Sequence, residues 1–550
     1  MGRRIRNGWV EINIDPRCKE LVGFLIALVF LLEGLYTLND YGMTWDEPMH
    51  LDGGLAYLDF LIRGKPLARS EGMSSSFPSI ISTLSHVVFY KKLGWLGFWP
   101  SFHLPILFFS AFAILVVYFF TLRAYGFGEA VIAATSLALF PNFIAHSHNN
   151  VKDAPLLAMF TLAVWTLWKA ETTKSRWWTA LAAVSLGLAF DTKINAILVT
   201  PILALWLIAS SGGGILNALK KKNLKLTLRG DYLILYPTVA IVVAILFYPW
   251  LWSDFIARLL YSFTFFASVN KGPEWEIMYL GRIYSQGVSL PWHYAPLTLI
   301  VVTPPVILFF ALLGLLKAAK ETLYNGNKTS SLLIIWLLVP LGVYMIPGVV
   351  VYNHIRHFLE VLSPLCMLAG VGGMALFRYV NSIVKKIPWR QSKAITALAF
   401  AVLYLQLLNT LIALHPYEIA YFNFLVGGTA NAERYYELDY YGASMKGGCE
   451  WLNKHAGPYA NVYISTGEFM SRDYLRNDLL TGGGNEYYVG FYSMGEPVYD
   501  KGIKDYLFKQ VKPAHVIEAN GGAMFRIYKL TKSEWNKYWW TIRGWNQDYC

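Results

Sequence analysis

The sequence predicts a polytopic α-helical membrane protein of about eleven transmembrane helices, ending in a small extracytoplasmic α/β domain. Three observations lead there. The chain is 55% hydrophobic and 16% aromatic with a mean hydropathy of +0.39, more apolar surface than a water-surrounded core of 550 residues would hold. Apolar runs long enough to reach across about 30 Å of hydrocarbon recur from residue 21 to residue 414. From His415 they stop, and Gly, Asn, Tyr and charged residues mix as in a water-soluble domain.

Charge placement sets the expected orientation. The net charge of +12 could signal a nucleic-acid partner, but the basic residues gather in alternate loops, so none is expected. They are Arg3, Arg4 and Arg6, then Arg123, then Lys174 and Arg176. Lys220, Lys221, Lys222, Lys225 and Arg229 follow, then Lys317, Lys320 and Lys328, and last Arg378, Lys385, Lys386, Arg390 and Lys393. This positive-inside pattern puts the N-terminus in the cytoplasm and the loop after the first span outside. The cysteines Cys18, Cys366, Cys449 and Cys550 show neither metal-ligand spacing nor a dense disulfide framework, although a Cys449–Cys550 bridge outside stays open.

Taken in order, Leu21–Leu38 reads as a retained signal anchor, since it lacks a small-residue cleavage site. Residues 40–100 form the first external loop and carry Tyr41-Gly42-Met43-Thr44-Trp45-Asp46-Glu47-Pro48-Met49-His50. Spans are expected at His103–Leu122, Glu129–Ala145, from Pro155 to Ala170, Trp177–Phe190, Ile194–Ser210 and Tyr232–Trp252. An external segment, Ser253–His293, separates these from Tyr294–Leu316, Ser331–Val349, Phe358–Phe377 and Ala394–Leu414. The transmembrane part is thus 1–414, and 415–550 the external domain. In it Ala443–His455 reads as a helix, and Val462–Ser465, Tyr487–Tyr492, His515–Ile517 and Ala523–Leu530 as strands. Trp535, Trp539, Trp540 and Trp545 suit a membrane surface or an aromatic core, and Glu433, Glu437 and Asp439 suit an exposed acidic helix face.

The external loop ends repeat a mixture of acids and bases: Asp46 and Glu47, Lys152 and Asp153, Asp191 and Lys193, then His354, Arg356 and His357. Singly, each suits a solvated span end, and Thr44 with Glu47 has the T-x-x-E spacing of a capping box. Repetition at one face argues for a site. Such a set suits attack by a hydroxyl or amine on a sugar held by a membrane lipid phosphate. A carboxylate takes the acceptor's proton, the role expected of Asp46, with Glu47 orienting it or helping to hold a metal. Fixed cations stabilise the departing phosphate, the role expected of Arg356 and Lys193, with Lys152 third. His354, His357, His146 and His148 could bind phosphate, or a divalent metal together with Asp46 and Glu47, although His146-x-His148 is not a specific zinc motif.

A family resemblance follows from the order of these motifs. Trp45-Asp46-Glu47-Pro48 after the first span, Lys152-Asp153-Ala154-Pro155 after the third, Thr192-Lys193 opening the sixth and His354-Ile355-Arg356-His357-Phe358 opening the tenth resemble the dolichyl-phosphate-mannose protein mannosyltransferase family. More broadly the chain is similar to the C-type superfamily of membrane glycosyltransferases, which includes lipid A aminoarabinose transferases. His415–Asn423, Asp439-Tyr440-Tyr441-Gly442 and Glu450-Trp451-Leu452 resemble the external part of prokaryotic members. The resemblance implies inverting transfer from a polyprenyl-phosphate sugar, with Asp46 as base, Asp153 as second external acid, and Lys193 and Arg356 at the lipid phosphate. The chain departs from eukaryotic members in lacking a large mid-chain insertion, which leaves the acceptor open among protein, lipid and glycan. Two other readings remain at this stage, a flippase for lipid-linked glycans and a non-catalytic envelope assembly factor. A flippase predicts ionisable residues in mid-span and internal repeats, whereas these charges lie at span ends.

Overall fold

The computed structural model describes residues 5–6, 9–10, 15–68, 76–210, 229–268, 276–285, 290–383, 389–464, 467–492, 506–508 and 510–543. Apolar helices stand at each expected span. Helix α1 (Pro16–Thr37) opens on Asp15, whose carboxylate accepts the Arg17 N–H at 2.8 Å. The loop behind it holds α2 (Glu47–Arg63) and α3 (Ser76–Ser85). Then come α4 (Phe98–Ala124), α5 (Phe127–Ala138), α6 (Pro141–Asn149), α7 (Asp153–Thr173), α8 (Arg176–Thr192) and α9 (Val199–Ser210). After α10 (Leu235–Leu246) and α11 (Phe255–Ser268), strands β1 (Glu276–Tyr279) and β2 (Arg282–Ser285) pair antiparallel. The bundle ends with α12 (Tyr294–Val302), α13 (Pro305–Asn325), α14 (Lys328–Val343), α15 (Leu362–Ile383) and α16 (Trp389–Leu414).

Several spans depart from continuous helices. The third is bent by 60° between α5 and α6, where Pro141 cannot continue the hydrogen-bond ladder. The expected Tyr294–Leu316 span is broken at Thr303, which is extended at ψ 128° because Pro304 follows it. The tenth begins as a 3-10 turn, His354–Val361, before α15. Among the described residues, Phe98–Ala124, His354–Ile383 and Ala394–Leu414 are each long and apolar enough to cross a membrane, and the bent pair makes a fourth. Outward faces are apolar to match: Phe24, Leu28 and Leu32 on α1 and Leu398, Val402 and Ile412 on α16 are exposed side chains that hydrocarbon would cover.

Close backbone approach locks α13 to α15. A Cβ built on Gly314 would meet the Leu368 carbonyl oxygen at 1.9 Å, and one on Gly372 the Phe310 carbonyl oxygen at 1.9 Å. Only glycines permit that crossing. Gly372→Val is therefore expected to cost about 3 kcal/mol, at the upper end of ordinary overpacking, read as a lower unfolding midpoint of the detergent-solubilised protein. An unchanged midpoint would refute the packing argument.

Beyond Leu414 a four-stranded sheet forms from β3 (Asn461–Ile464), β4 (Tyr487–Tyr492), β5 (His515–Ala519) and β6 (Gly522–Leu530), in the order β3-β4-β6-β5. Only β3 and β4 run parallel. Helix α17 (Met445–His455) packs on it through the buried Met445, Cys449 and Leu452, and α18 (Lys532–Arg543) follows the sheet. Cys449 is a free thiol in that core, and Cys550, the other half of the bridge left open above, lies outside the described residues. Trp535 is buried against Tyr487, ring centroids 5.2 Å apart, and so belongs to core. The side chains of Trp539, Trp540 and Trp545 lie outside the described set, as do Lys220, Lys221, Lys222, Lys225, Lys385 and Lys386.

The acidic trio is no exposed face. Asp439 and Glu437 are buried, and Glu437 accepts the Met278 N–H at 3.0 Å. Glu433 accepts the Ala523 N–H at 3.0 Å and pairs with Arg526. Backbone and side-chain donors of the protein bind these acids, and sequence charge alone cannot reveal donors brought from elsewhere in the chain.

Candidate functional site

Four short connections meet at one end of the bundle, and each delivers a charged side chain. The first is the turn before α2. Asp46 stands in the N-cap position but makes no capping bond, so its carboxylate turns outward to other partners. The T-x-x-E contact does form, with Glu47 Oε2 accepting the Thr44 N–H at 2.6 Å and its hydroxyl at 3.1 Å. The helix nevertheless begins at Glu47, two residues later than a box capped by Thr44 requires. Glu47 Oε1 lies 2.7 Å from His103 Nε2 on α4. Glu47 thus ties α2 to α4 and does not orient Asp46.

Asn150 builds the second connection. Its Oδ1 accepts the N–H of Lys152 at 3.2 Å and of Asp153 at 2.8 Å, while its Nδ2 donates to Asp153 Oδ2 at 2.8 Å. That turn fixes Asp153 at the start of α7 with Lys152 beside it. The third connection is a single extended residue, Lys193 (φ −164°, ψ 141°), between α8 and a 3-10 turn. The fourth is the 3-10 turn that Asn353 and His354 open, both at positive φ (53° and 55°), which carries Arg356 inward.

The four connections converge in one chain of alternating charge. Lys193 Nζ lies 2.6 Å from Asp153 Oδ1, Arg356 Nε lies 3.0 Å from Asp153 Oδ2, and Arg356 Nη2 bonds Asp46 Oδ2. Lys152 Nζ closes the row 3.7 Å from the same Asp46 oxygen. Three cations against two carboxylates leave one positive charge over, in a setting where water screens little.

The two acids differ in what they still offer. Asp153 uses both oxygens on protein donors and its side chain is 1% exposed. Asp46 is 16% exposed, and every partner of its carboxylate among the described residues meets Oδ2, leaving Oδ1 free. Burial alone would raise the Asp46 carboxyl, but Arg356 and Lys152 outweigh it and hold the group well below the usual carboxylate range. His50, one turn along α2, has its imidazole pushed down to about 3 by burial and by Lys152, so it is neutral at physiological pH. Burial also lowers the Lys152 ammonium, against the attraction of Asp46.

The histidines divide. The His357 ring sits edge-on to Tyr352 at 4.2 Å, in the field of Lys193 and Arg356, and its Nε2 is buried without a partner among the described residues. His354 turns away from the cations and stacks on Tyr440 at 4.7 Å. His146 bonds the Tyr440 hydroxyl at 3.0 Å and Asn150 at 3.1 Å, and His148 bonds Thr37 at 3.2 Å while stacking on Tyr41 at 3.8 Å. His146 and His148 therefore do not join Asp46 and Glu47, and no three His, Cys, Asp or Glu side chains among the described residues converge on a metal position. The expected metal set does not fit here, because each member is committed to a different partner. Asp191 also stands apart, buried with neither oxygen paired among the described residues.

Sequence reasoning missed Asn150 as the turn builder, His50 beside Asp46, and the docking of Tyr441 on the charged row. Asn150 carries a signal in retrospect, since Asn three residues before a helical Asp is a capping arrangement. Nothing local marks the other two.

Fold and site together define a class, a multi-pass membrane protein with the C-type glycosyltransferase fold. Residues 99–252 match the model of the dolichyl-phosphate-mannose-protein mannosyltransferase family. ArnT from Cupriavidus metallidurans in the apo state has a similar fold at 14% identity and TM-score 0.50, with 92% of this chain and 97% of that one covered. The same protein bound to undecaprenyl phosphate aligns at 13% identity and TM-score 0.48 over the same shares. Archaeal oligosaccharyltransferase AglB from Archaeoglobus fulgidus, in complex with an inhibitory peptide and a dolichol-phosphate, aligns at 13% identity and TM-score 0.48, covering 89% of this chain and 70% of that one. No curated protein matches the chain.

Proposed function

We propose that the chain transfers a sugar from a polyprenyl-phosphate donor to an acceptor hydroxyl or amine at the extracytoplasmic face, with inversion and with Asp46 as general base. The observation that carries this reading is the alternating row with its surplus cation and, on the partly exposed Asp46, one carboxylate oxygen with no partner among the described residues. The acceptor atom attacks the anomeric carbon while Asp46 Oδ1 takes its proton. The bond from that carbon to phosphate oxygen breaks on the opposite face. Arg356, Lys193 and Lys152 then hold the phosphate as its charge grows, and His357 Nε2 adds a neutral contact. A single displacement of this kind inverts the anomeric centre. Asp153, saturated by its partners, spaces Lys193 and Arg356 apart and is not the base. The family match over residues 99–252 supports a lipid-phosphate sugar donor.

In this reading the N-terminus is cytoplasmic, and residues 415–550 form an extracytoplasmic domain over the site. The purified protein in lipid, offered a panel of labelled polyprenyl-phosphate sugars with envelope extract, should consume one donor and release its polyprenyl phosphate. Movement of lipid-linked glycan between leaflets without turnover of any donor would sink the transferase reading.

A further inference from the structure

The charged row is closed by a side chain from beyond the last span. Tyr441 is buried, its phenol donates to Asp46 Oδ2 at 3.4 Å, and its ring lies 4.6 Å from the Arg356 guanidinium carbon. Its carbonyl accepts the Trp45 N–H at 3.1 Å, so the same residue grips the turn that presents Asp46.

Tyr441 is itself firmly placed. Asp439 accepts the N–H groups of Tyr441 at 3.3 Å, Gly442 at 2.8 Å, Ala443 at 2.8 Å and Ser444 at 2.9 Å, together with the Ser444 hydroxyl. Gly442 turns the chain there at φ +79°, a conformation that favours glycine. On the other side Tyr440 is wedged between His146 and His354. A buried acid with five donors, two anchored tyrosines and a glycine turn are more than packing Tyr441 would need.

We propose that Tyr441 is a positioning residue for sugar transfer: its hydroxyl fixes Asp46, its ring fixes Arg356, and residues beyond 414 thereby complete the site. This rests on the transferase reading above. The phenol is a neutral donor, so it orients Asp46 Oδ2 without cancelling the carboxylate charge, and Oδ1 stays turned to the acceptor. The aromatic face holds the guanidinium in place between two carboxylates, with its remaining N–H groups left for phosphate. The two tasks fall on different parts of one side chain and can be separated.

Two variants of the full chain in lipid nanodiscs make that separation, read by kcat, donor KM, undecaprenyl phosphate affinity and unfolding midpoint. Tyr441→Phe keeps the ring, so kcat should fall about tenfold with donor KM and lipid-phosphate affinity unchanged. Tyr441→Leu loses both parts, so kcat should fall about 10²-fold, as misplacement of a catalytic group does, and affinity about tenfold. A merely structural role predicts losses that follow the unfolding midpoint. Wild-type kcat in Tyr441→Phe, or a kcat loss that merely follows the midpoint, overturns the proposal. If the wild type turns over no donor, the transferase reading fails and affinity alone decides. Loss in Tyr441→Leu with retention in Tyr441→Phe then supports the positioning role, and equal affinity in all three overturns it.

Discussion

Asp46→Asn is expected to lower sugar transfer by about 10³-fold, within the range ascribed to a positioned general base, while polyprenyl-phosphate binding stays close to wild type. The substitution keeps shape. An amide oxygen in place of Oδ2 can still accept from Arg356 and Tyr441, so the row should hold together. What the amide cannot do is take a proton from the acceptor. The informative contrast is Glu47→Gln, at the neighbouring residue with the same nominal chemistry. Glu47 is buried, bonded to Thr44 and paired with His103, so its loss should appear as reduced stability with kcat largely kept. Radiolabelled donor consumption at matched folded concentrations separates the two. Equal kcat losses in both variants would remove the base assignment from Asp46, since then the turn as a whole, and not one carboxylate, would be what matters.

Much of the fold is written in the sequence because burial in hydrocarbon demands long apolar runs, and no other environment does. The runs placed α4, α7, α15 and α16 within a few residues, and strand β4 matched its expected bounds. Breaks inside the runs were not legible. Pro304 lies between two equally apolar stretches, and composition averaged over a window passes across it although the residue before a proline cannot stay helical.

The site was legible as a set and illegible as a network. Repetition of charge at loop ends brought Asp46, Lys152, Asp153, Lys193 and Arg356 forward together, and these five do meet. Which cation serves which acid depends on contacts 40 to 310 positions apart in sequence, and no spacing rule reaches that far. The histidines show the opposite failure. His146 and His148 share a short helix with two ring-bearing faces, but one ring goes to Tyr440 and the other to Thr37, so nearness in sequence did not become nearness in space. Asp439 looked like one acid among three on a helix face, and its five donors come from the turn that follows it.

Arg356→Ala should be the most damaging change among the cations, with kcat/KM for the donor lower by about 10³-fold, as expected for loss of a group that stabilises developing charge. Among the described residues Arg356 alone touches both carboxylates, through Nε to Asp153 and Nη2 to Asp46. Its removal leaves the buried Asp153 and the partly buried Asp46 facing each other across an empty position, with Lys193 and Lys152 each too committed to replace it. Arg356→Lys should recover little, because one ammonium cannot span both partners as a planar guanidinium does. A pH profile carries the second part of this expectation. In the native row Arg356 and then Lys152 overcome the effect of burial and keep the Asp46 carboxyl well below its ordinary value. Without Arg356, burial and the Asp153 charge both favour the protonated acid, so its pKa rises. The low-pH limb of residual activity should then move upward in Arg356→Ala, while donor binding weakens at every pH. Restoring the surplus positive charge with Arg356→Ala/Asp153→Asn should bring the limb part of the way back without restoring donor affinity. A limb that does not move in the single variant would mean that Asp46 is not the group whose protonation limits the rate.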